Sequence, residues 1–173
     1  MITQHQFNII KYLVFISVII LGLWLINLNF PINGQRHINL NFFQDQPMVS
    51  KLGPGDRLKQ KDDLALIIDH PVYFDLRVLP WFNQARMTLI YQSNGRLLDG
   101  MGYQTGLGFS FSVIKPISVK EIDQDFSEAL FIFDLNKVFT LRNVTRFLIA
   151  SQIESKNIEN ELIIKSLKIN LLR

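Results

Sequence analysis

The chain has 173 residues, with 18 Lys+Arg against 15 Asp+Glu and no cysteine. This length allows one domain of ordinary size with an appendage. The lack of cysteine excludes a disulfide framework, a thiolate nucleophile and a cysteine-based zinc site. Residues 34–173 carry 17 basic and 15 acidic groups. This balance is too even for a surface that binds polyanions, so we do not expect nucleic acid as a partner.

The first predicted element is an apolar helix. Residues 12–30 read YLVFISVIILGLWLINLNF and include no charged side chain. Nineteen helical residues span about 28 Å, close to the ~30 Å hydrocarbon core of a bilayer. The run lacks the polar stripe that a buried core helix of this length shows. We therefore predict one N-terminal transmembrane helix, with the lipid bilayer as its partner.

The residues around this helix predict its processing and orientation. A cleaved signal peptide is the main alternative, but no Ala-x-Ala-like pair follows the run. A type IV pilin would carry a leader and an early acidic residue, and both are missing. Lys11 precedes the helix and the next basic residue is Arg36, which favours a cytoplasmic N-terminus. We predict a cytoplasmic tail at 1–11, an uncleaved signal anchor at 12–30, a linker at 31–36 and an extracytoplasmic domain at 37–173. The protein would then reside in the cell membrane.

The rest of the chain reads as short β-strands separated by turns. Period-two alternation of apolar and polar residues is typical of half-buried strands. It occurs, with shorter apolar runs, at 37–43, 64–69, 72–79, 85–92, 107–114, 129–135, 145–151 and 161–172, the last with a bulge near Ser166. Loops are predicted at 44–62 and, because it is rich in glycine, at 93–108. The pattern predicts an all-β domain, a β-sandwich or jelly roll, with most of the 14 phenylalanines in its core.

Three segments resemble a known group of folds. They are IIDHPVYFDLRVLPWFNQARMTLIYQ at 67–92, FDL and RFLIAS at 133–135 and 146–151, and IIKSLKINL at 163–171. Together they resemble galactose-binding-like β-sandwiches, which include many carbohydrate-binding modules. The closest likeness is to uncharacterised membrane-anchored bacterial proteins. The resemblance covers roughly residues 60–173 and implies a sandwich that binds glycans or partners. The calcium site common in such modules is not evident, so we expect no metal.

The candidate ligand-binding residues lie in two predicted loops. Trp81 and Phe82 follow Pro80 between two strands, where an aromatic ring could stack on a sugar face or plug the end of the sandwich. Within 93–108 the side chains able to contact a ligand are Arg96, Asp99, Tyr103 and Gln104. Asn94-Gly95 is also a tight-turn signal, so part of this loop could be a hairpin.

No residue pattern predicts catalysis, and we expect neither an enzyme nor a cofactor. His5, His37 and His70 have no partner at an identifiable spacing. The acid pairs, Asp62 with Asp63 and Asp123 with Asp125, are typical of turns. Asp75 and Arg77 share one strand face and predict only a surface pair.

The sequence therefore predicts a membrane-anchored binding domain outside the cytoplasm. Its ligand would be an envelope glycan or a neighbouring envelope protein. The alternative is a structural or accessory subunit of a larger membrane complex, without a ligand of its own.

Overall fold

The computed structural model describes residues 4–29, 34–153 and 160–173. The chain divides into two units, with the division after Gln35. The first contains helix α1, Gln4–Asn29, in which no proline interrupts the backbone hydrogen bonds. The large apolar side chains described between Ile10 and Trp24 are exposed. A search of the described residues finds no helix with the length and apolar character needed to cross a membrane.

The second unit is built from strands. The described residues form β1 Gln35–Asn39, β2 Leu58–Lys61, β3 Leu64–Ile67, β4 Val72–Arg77, β5 Gln84–Asn94, β6 Arg96–Gln104, β7 Phe111–Ile114, β8 Ser118–Glu121, β9 Ser127–Asp134, β10 Val144–Ile153 and β11 Glu161–Leu172. Two single-turn 3-10 helices, Gly55–Arg57 and Leu135–Lys137, lie in the connections.

These strands form two antiparallel sheets. The larger has the order β2-β3-β11-β5-β9-β8, and β1 also pairs with β11. The smaller has the order β4-β10-β6-β7. Strands β3 and β1 pair with successive parts of β11, at residues 162–164 and near Leu167. The segment 46–53 runs beside β4, where the Ser50 amide donates to the Asp75 carbonyl at 2.8 Å.

The core lies between the two sheets, because one face of each strand is apolar. Strands β4 and β10 alternate buried and more exposed residues over most of their length. Aromatic rings fill the centre, with Phe147 stacked 5.7 Å from Phe74 and edge-on at 5.0 Å to Phe133. The predicted two-sheet β-sandwich is therefore confirmed. The bulge near Ser166 is confirmed as well, since the register of β11 on β5 shifts between Ile164 and Ser166.

The prediction of a long loop at 93–108 is wrong. Most of this segment is strand β6, and the chain passes at Gly95, with a φ of 73°, from β5 in one sheet to β6 in the other. Asn94-Gly95 is thus a corner between sheets and not a hairpin. The glycines of β6 allow neighbouring strands to pack closely against it. A Cβ at Gly100 would lie 2.3 Å from the Ile114 carbonyl oxygen, and one at Gly102 would lie 2.8 Å from Leu148.

Four other boundaries differ from the prediction. Strand β2 lies inside the loop predicted at 44–62, and β8 was missed because its four residues are all exposed and carry no alternation of burial. Of the strand predicted at 107–114, only residues 111–114 form β7. Phe109 is 84% exposed, so the expectation that it lies in the core is wrong. Of the linker predicted at 31–36, residues 31–33 lie outside the described residues, and Gln35 and Arg36 belong to β1.

Candidate functional site on the outer face of the smaller sheet

The smaller sheet has an apolar inner face and a polar outer face. Inward-facing Phe74, Leu76, Phe147, Ile149 and Met101 are all fully buried. The outward-facing positions between them hold Tyr73, Asp75, Arg146 and Gln104, all partly exposed, together with the buried Leu148. Since side chains alternate along a strand, the residues that build the core also fix where these polar groups stand. We name this outward surface the outer face.

An ion pair occupies the centre of the outer face. Arg146 on β10 lies directly opposite Asp75 on β4 in the strand register. Its Nε and Nη2 donate to the two Asp75 carboxylate oxygens at 2.7 and 2.9 Å. This two-bond geometry orients both groups, and the hydrogen bond to Asp75 raises the pKa of Arg146 above its ordinary value. Asp75 thus forms a cross-strand pair, as expected for this strand face, and its partner is Arg146.

An aromatic ring completes this cluster. The Arg146 guanidinium carbon lies 4.4 Å from the centre of the Tyr73 ring, a cation–π arrangement. The Asp75 amide donates to the Ser50 hydroxyl at 2.8 Å, so the segment 46–53 is also held to the edge of the sheet. The cluster therefore offers a fixed arrangement of a ring, a cation and a carboxylate.

A cleft of about 500 Å³ lies on one side of this cluster. Phe43 and Tyr73 provide its aromatic surface, and Asp45, Gln60 and Asp75 provide hydrogen-bonding groups. Phe42, Ser50, Lys51, Leu52, Gly53, Pro54, Gly55 and Leu58 complete the lining. A volume in this range, with apolar walls and a few polar groups, is typical of small-ligand sites.

A second cleft of about 390 Å³ lies on the other side. Asp75, Arg146 and Gln104 contribute its polar groups. Its rim is apolar and consists of Leu107, Phe109, Phe139, Leu141 and Val144, together with Gly108. Asp75 lines both clefts, so the ion pair stands between two concave surfaces of different character.

The structure does not bring the predicted site residues together. Arg96 is 2% exposed, and its guanidinium donates to the carbonyls of Ile68 and Asn160 and to the Ser151 hydroxyl. It therefore holds the β5–β6 corner against its neighbours. Asp99 lies on β6 and pairs with Lys115.

The remaining predicted residues divide between the two faces and the end of the sandwich. Tyr103 faces inward, with its ring 5.9 Å from that of Phe133. Trp81 is half-buried against the core, 6.2 Å from Phe82, which is itself buried. Gln104 alone of the predicted set lines a cleft of the outer face, where its side-chain amide donates to the Gly108 carbonyl at 2.9 Å.

The acid pairs behave as turn residues. The Asp123 carboxylate accepts from the amides of Phe126 and Asp125 at 2.8 and 3.0 Å. These backbone hydrogen bonds, the first from Phe126, lower the pKa of Asp123 below its ordinary value. Asp62 adopts a φ of 54° in the turn between β2 and β3.

Sequence reasoning missed Tyr73, Asp75 and Arg146 as a unit. Asp75 and Arg146 are 71 positions apart, and only the pairing of β4 with β10 joins them. The available signal was the polar phase of the strand VYFDLR, in which Tyr73 and Asp75 alternate with buried residues.

Comparisons with known proteins add no assignment. No protein-family model matches the sequence. A search of curated proteins finds no similar sequence either.

Proposed function

We propose that this chain is a membrane-anchored binding protein whose β-sandwich recognises an envelope glycan outside the cytoplasm. The observation that carries the glycan part is the 500 Å³ cleft, which combines aromatic rings with carboxylate and amide groups. A sugar ring presents apolar C–H faces and a rim of hydroxyls. Phe43 and Tyr73 suit the faces, while Asp45, Gln60 and Asp75 suit the hydroxyls. The resemblance to carbohydrate-binding modules accords with this choice.

The anchor rests on the sequence and on the exposure of α1. Residues 12–30 include no charge, and the 26 residues of α1 extend over about 39 Å. Its apolar side chains described between Ile10 and Trp24 are exposed, which costs free energy in water but not in lipid. Since the described residues contain no identified span, flotation of the full-length protein with liposomes after alkaline carbonate extraction is the deciding measurement. A spanning helix stays with the lipid, whereas a peripheral protein is released.

The glycan site is tested by a binding screen with the full-length protein. The detergent should have no sugar headgroup, because such a headgroup could occupy the cleft. We expect wild-type protein to bind envelope polysaccharide, and Phe43→Ala and Asp45→Asn each to weaken binding by about tenfold or more. Phe109→Ala is the matched control, since Phe109 is an exposed ring outside this cleft. Equal binding by Phe43→Ala and wild type would remove the site.

The alternative, an accessory subunit, is favoured by one specific feature. Strand β8 lies at the edge of the larger sheet and all four of its residues are exposed. Ile117, Val119 and Ile122 add exposed apolar area along this edge. Such an edge is suited to pairing with another protein. Purification of the full-length protein with mass spectrometry of retained proteins tests this function, and a stoichiometric partner lost in Val119→Lys would support it.

A further inference from the structure

The two ends of the sandwich can be distinguished by connectivity. The chain enters the second unit at β1, which pairs antiparallel with β11 so that His37 bonds to Asn170 and Leu40 to Leu167. The beginning of β1 therefore lies beside the end of β11, opposite the beginning of β5. By the strand register, the connections 78–83, 105–110 and 135–143 are at this same end. We name it the entry end.

Two loops at the entry end carry exposed apolar side chains. Leu107 and Phe109 in the β6–β7 connection are 78% and 84% exposed, and Leu141 in the β9–β10 connection is 60% exposed. These loops are neighbours, since all three residues line the second cleft. The Phe139 amide also donates to the Gln104 carbonyl at 2.9 Å and ties the loops together. Aromatic rings and leucines that are exposed to water at loop tips cost free energy unless another apolar surface covers them.

Charge separates the two ends. Arg77 and Arg142 flank the apolar loops, and Arg36 and Arg173 lie at the beginning of β1 and after the end of β11. Of the acids on this side, Asp75 and Asp134 form ion pairs and Asp45 accepts a hydrogen bond from the Lys51 amide. The opposite end carries more exposed carboxylates, at Asp69, Glu121, Asp123 and Asp125, beside the exposed Lys115 and Lys120.

We propose that the loop tips around Phe109 and Leu141 insert into the interfacial region of an anionic bilayer. This inference rests on the proposed function, because a membrane anchor at α1 would tether the second unit to the bilayer. Only residues 30–34 separate α1 from β1, and a chain of that length reaches about 20 Å. Apolar side chains ringed by arginines match the interface, where acyl chains meet negatively charged headgroups. The outer face would then stand beside the bilayer surface, and its ligand would be a glycan close to the membrane.

The test uses the absence of cysteine, which allows a single fluorophore to be attached at any chosen position. Full-length Leu107→Cys and Leu141→Cys are labelled and reconstituted into liposomes that contain phosphatidylglycerol with brominated acyl chains. The control is Asn94→Cys, an exposed position in the corner at the opposite end. We expect bromine quenching of both loop labels at least severalfold greater than that of the Asn94 label. Quenching should fall when phosphatidylcholine with the same brominated acyl chains replaces phosphatidylglycerol, or when Arg142→Gln is added.

Loop labels quenched no more than the Asn94 label would overturn the inference. Loop labels shielded only by a co-purifying protein would also overturn it, in favour of a protein docking surface. Carbonate-resistant flotation is measured on the same liposomes. If the protein floats but the loop labels are not quenched, the anchor is supported and the insertion of the loops is contradicted. If the loop labels are quenched but carbonate releases the protein, the insertion of the loops is supported and the anchor is contradicted.

Discussion

The same strands form the inner and outer faces of the smaller sheet, but the two faces have different roles. On β10, Phe147 faces the core and is fully buried, while its neighbour Arg146 faces outward and pairs with Asp75. On β4, Phe74 and Tyr73 divide in the same way. The inner residues are held by packing and the outer ones by directed hydrogen bonds and a cation–π contact.

This difference shows how the fold positions a site that it does not itself require. Burial of the aromatic residues fixes the register of β4 on β10, and the register places Asp75 against Arg146. Changes on the inner face should therefore alter stability strongly. Changes on the outer face should alter binding more than stability.

The largest effect is expected from Phe147→Ala. Phe147 is fully buried between Phe74 and Phe133, so the truncation removes apolar burial and leaves a cavity. We expect a loss of about 3–5 kcal/mol in the free energy of unfolding, measured by urea denaturation. The control is Phe109→Ala, which should change it by less than about 0.5 kcal/mol because the ring is exposed. Equal costs for the two variants would remove the distinction between inner and exposed aromatic residues.

A smaller loss of stability is expected from a substitution in β6 at the point where β7 packs closely against it. Gly100→Ala places a Cβ 2.3 Å from the Ile114 carbonyl oxygen, and a backbone atom cannot move aside as a flexible side chain can. We expect a loss of about 1–3 kcal/mol from this overpacking. Gly106→Ala is the matched control, since its nearest contact is 3.9 Å away. A neutral Gly100→Ala would show that β7 does not approach β6 so closely.

The ion pair should contribute less to stability. Asp75 and Arg146 side chains are each about one-third exposed, at 35% and 33%, so solvent screens their attraction. A double-mutant cycle with Asp75→Asn and Arg146→Gln should give a coupling energy of about 1 kcal/mol or less. Both single variants should weaken glycan binding by a larger factor than this coupling represents. Coupling of several kcal/mol would instead make the pair a structural element of the fold.

The smallest effect is expected on the stability of the protein at acid pH. The backbone hydrogen bonds of Asp123 favour its ionised form and lower its pKa in the folded protein. A depressed folded pKa contributes stability above the unfolded pKa, and this contribution is lost as pH falls through the folded value. Asp123→Asn should therefore reduce the acid sensitivity of unfolding below the ordinary aspartate range. Identical pH profiles for the variant and wild type would contradict this role for the turn.

The alternation of apolar and polar residues predicted the strands that line the core. It failed where another structural requirement determined the choice of residues. Strand β5 was predicted within two residues of its bounds, because Met87 and Leu89 alternate with more polar residues. Strand β6 was read as a loop, since Gly100 and Gly102 are disfavoured in strands unless a close approach requires them. Phe109 was placed in the core because alternation cannot show that its segment extends beyond the sheet.

The candidate site was less predictable than the strands. Loop-borne residues such as Arg96 were favoured, yet Arg96 is buried and the outer-face cluster stands on strands. The cluster depends on cross-strand register, which a single sequence does not contain. Its members also belong to the polar phase of their strands, which is the expected phase for any solvated face.

The most direct measurement of the central claim is hydroxyl-radical footprinting of the full-length protein with and without envelope polysaccharide. Mass spectrometry then reports the oxidation rate of individual aromatic side chains. We expect polysaccharide to reduce oxidation of Phe43 and Tyr73, which line the 500 Å³ cleft, and to leave Phe109 unchanged. Bound polysaccharide that leaves Phe43 and Tyr73 unprotected would contradict a glycan site on the outer face.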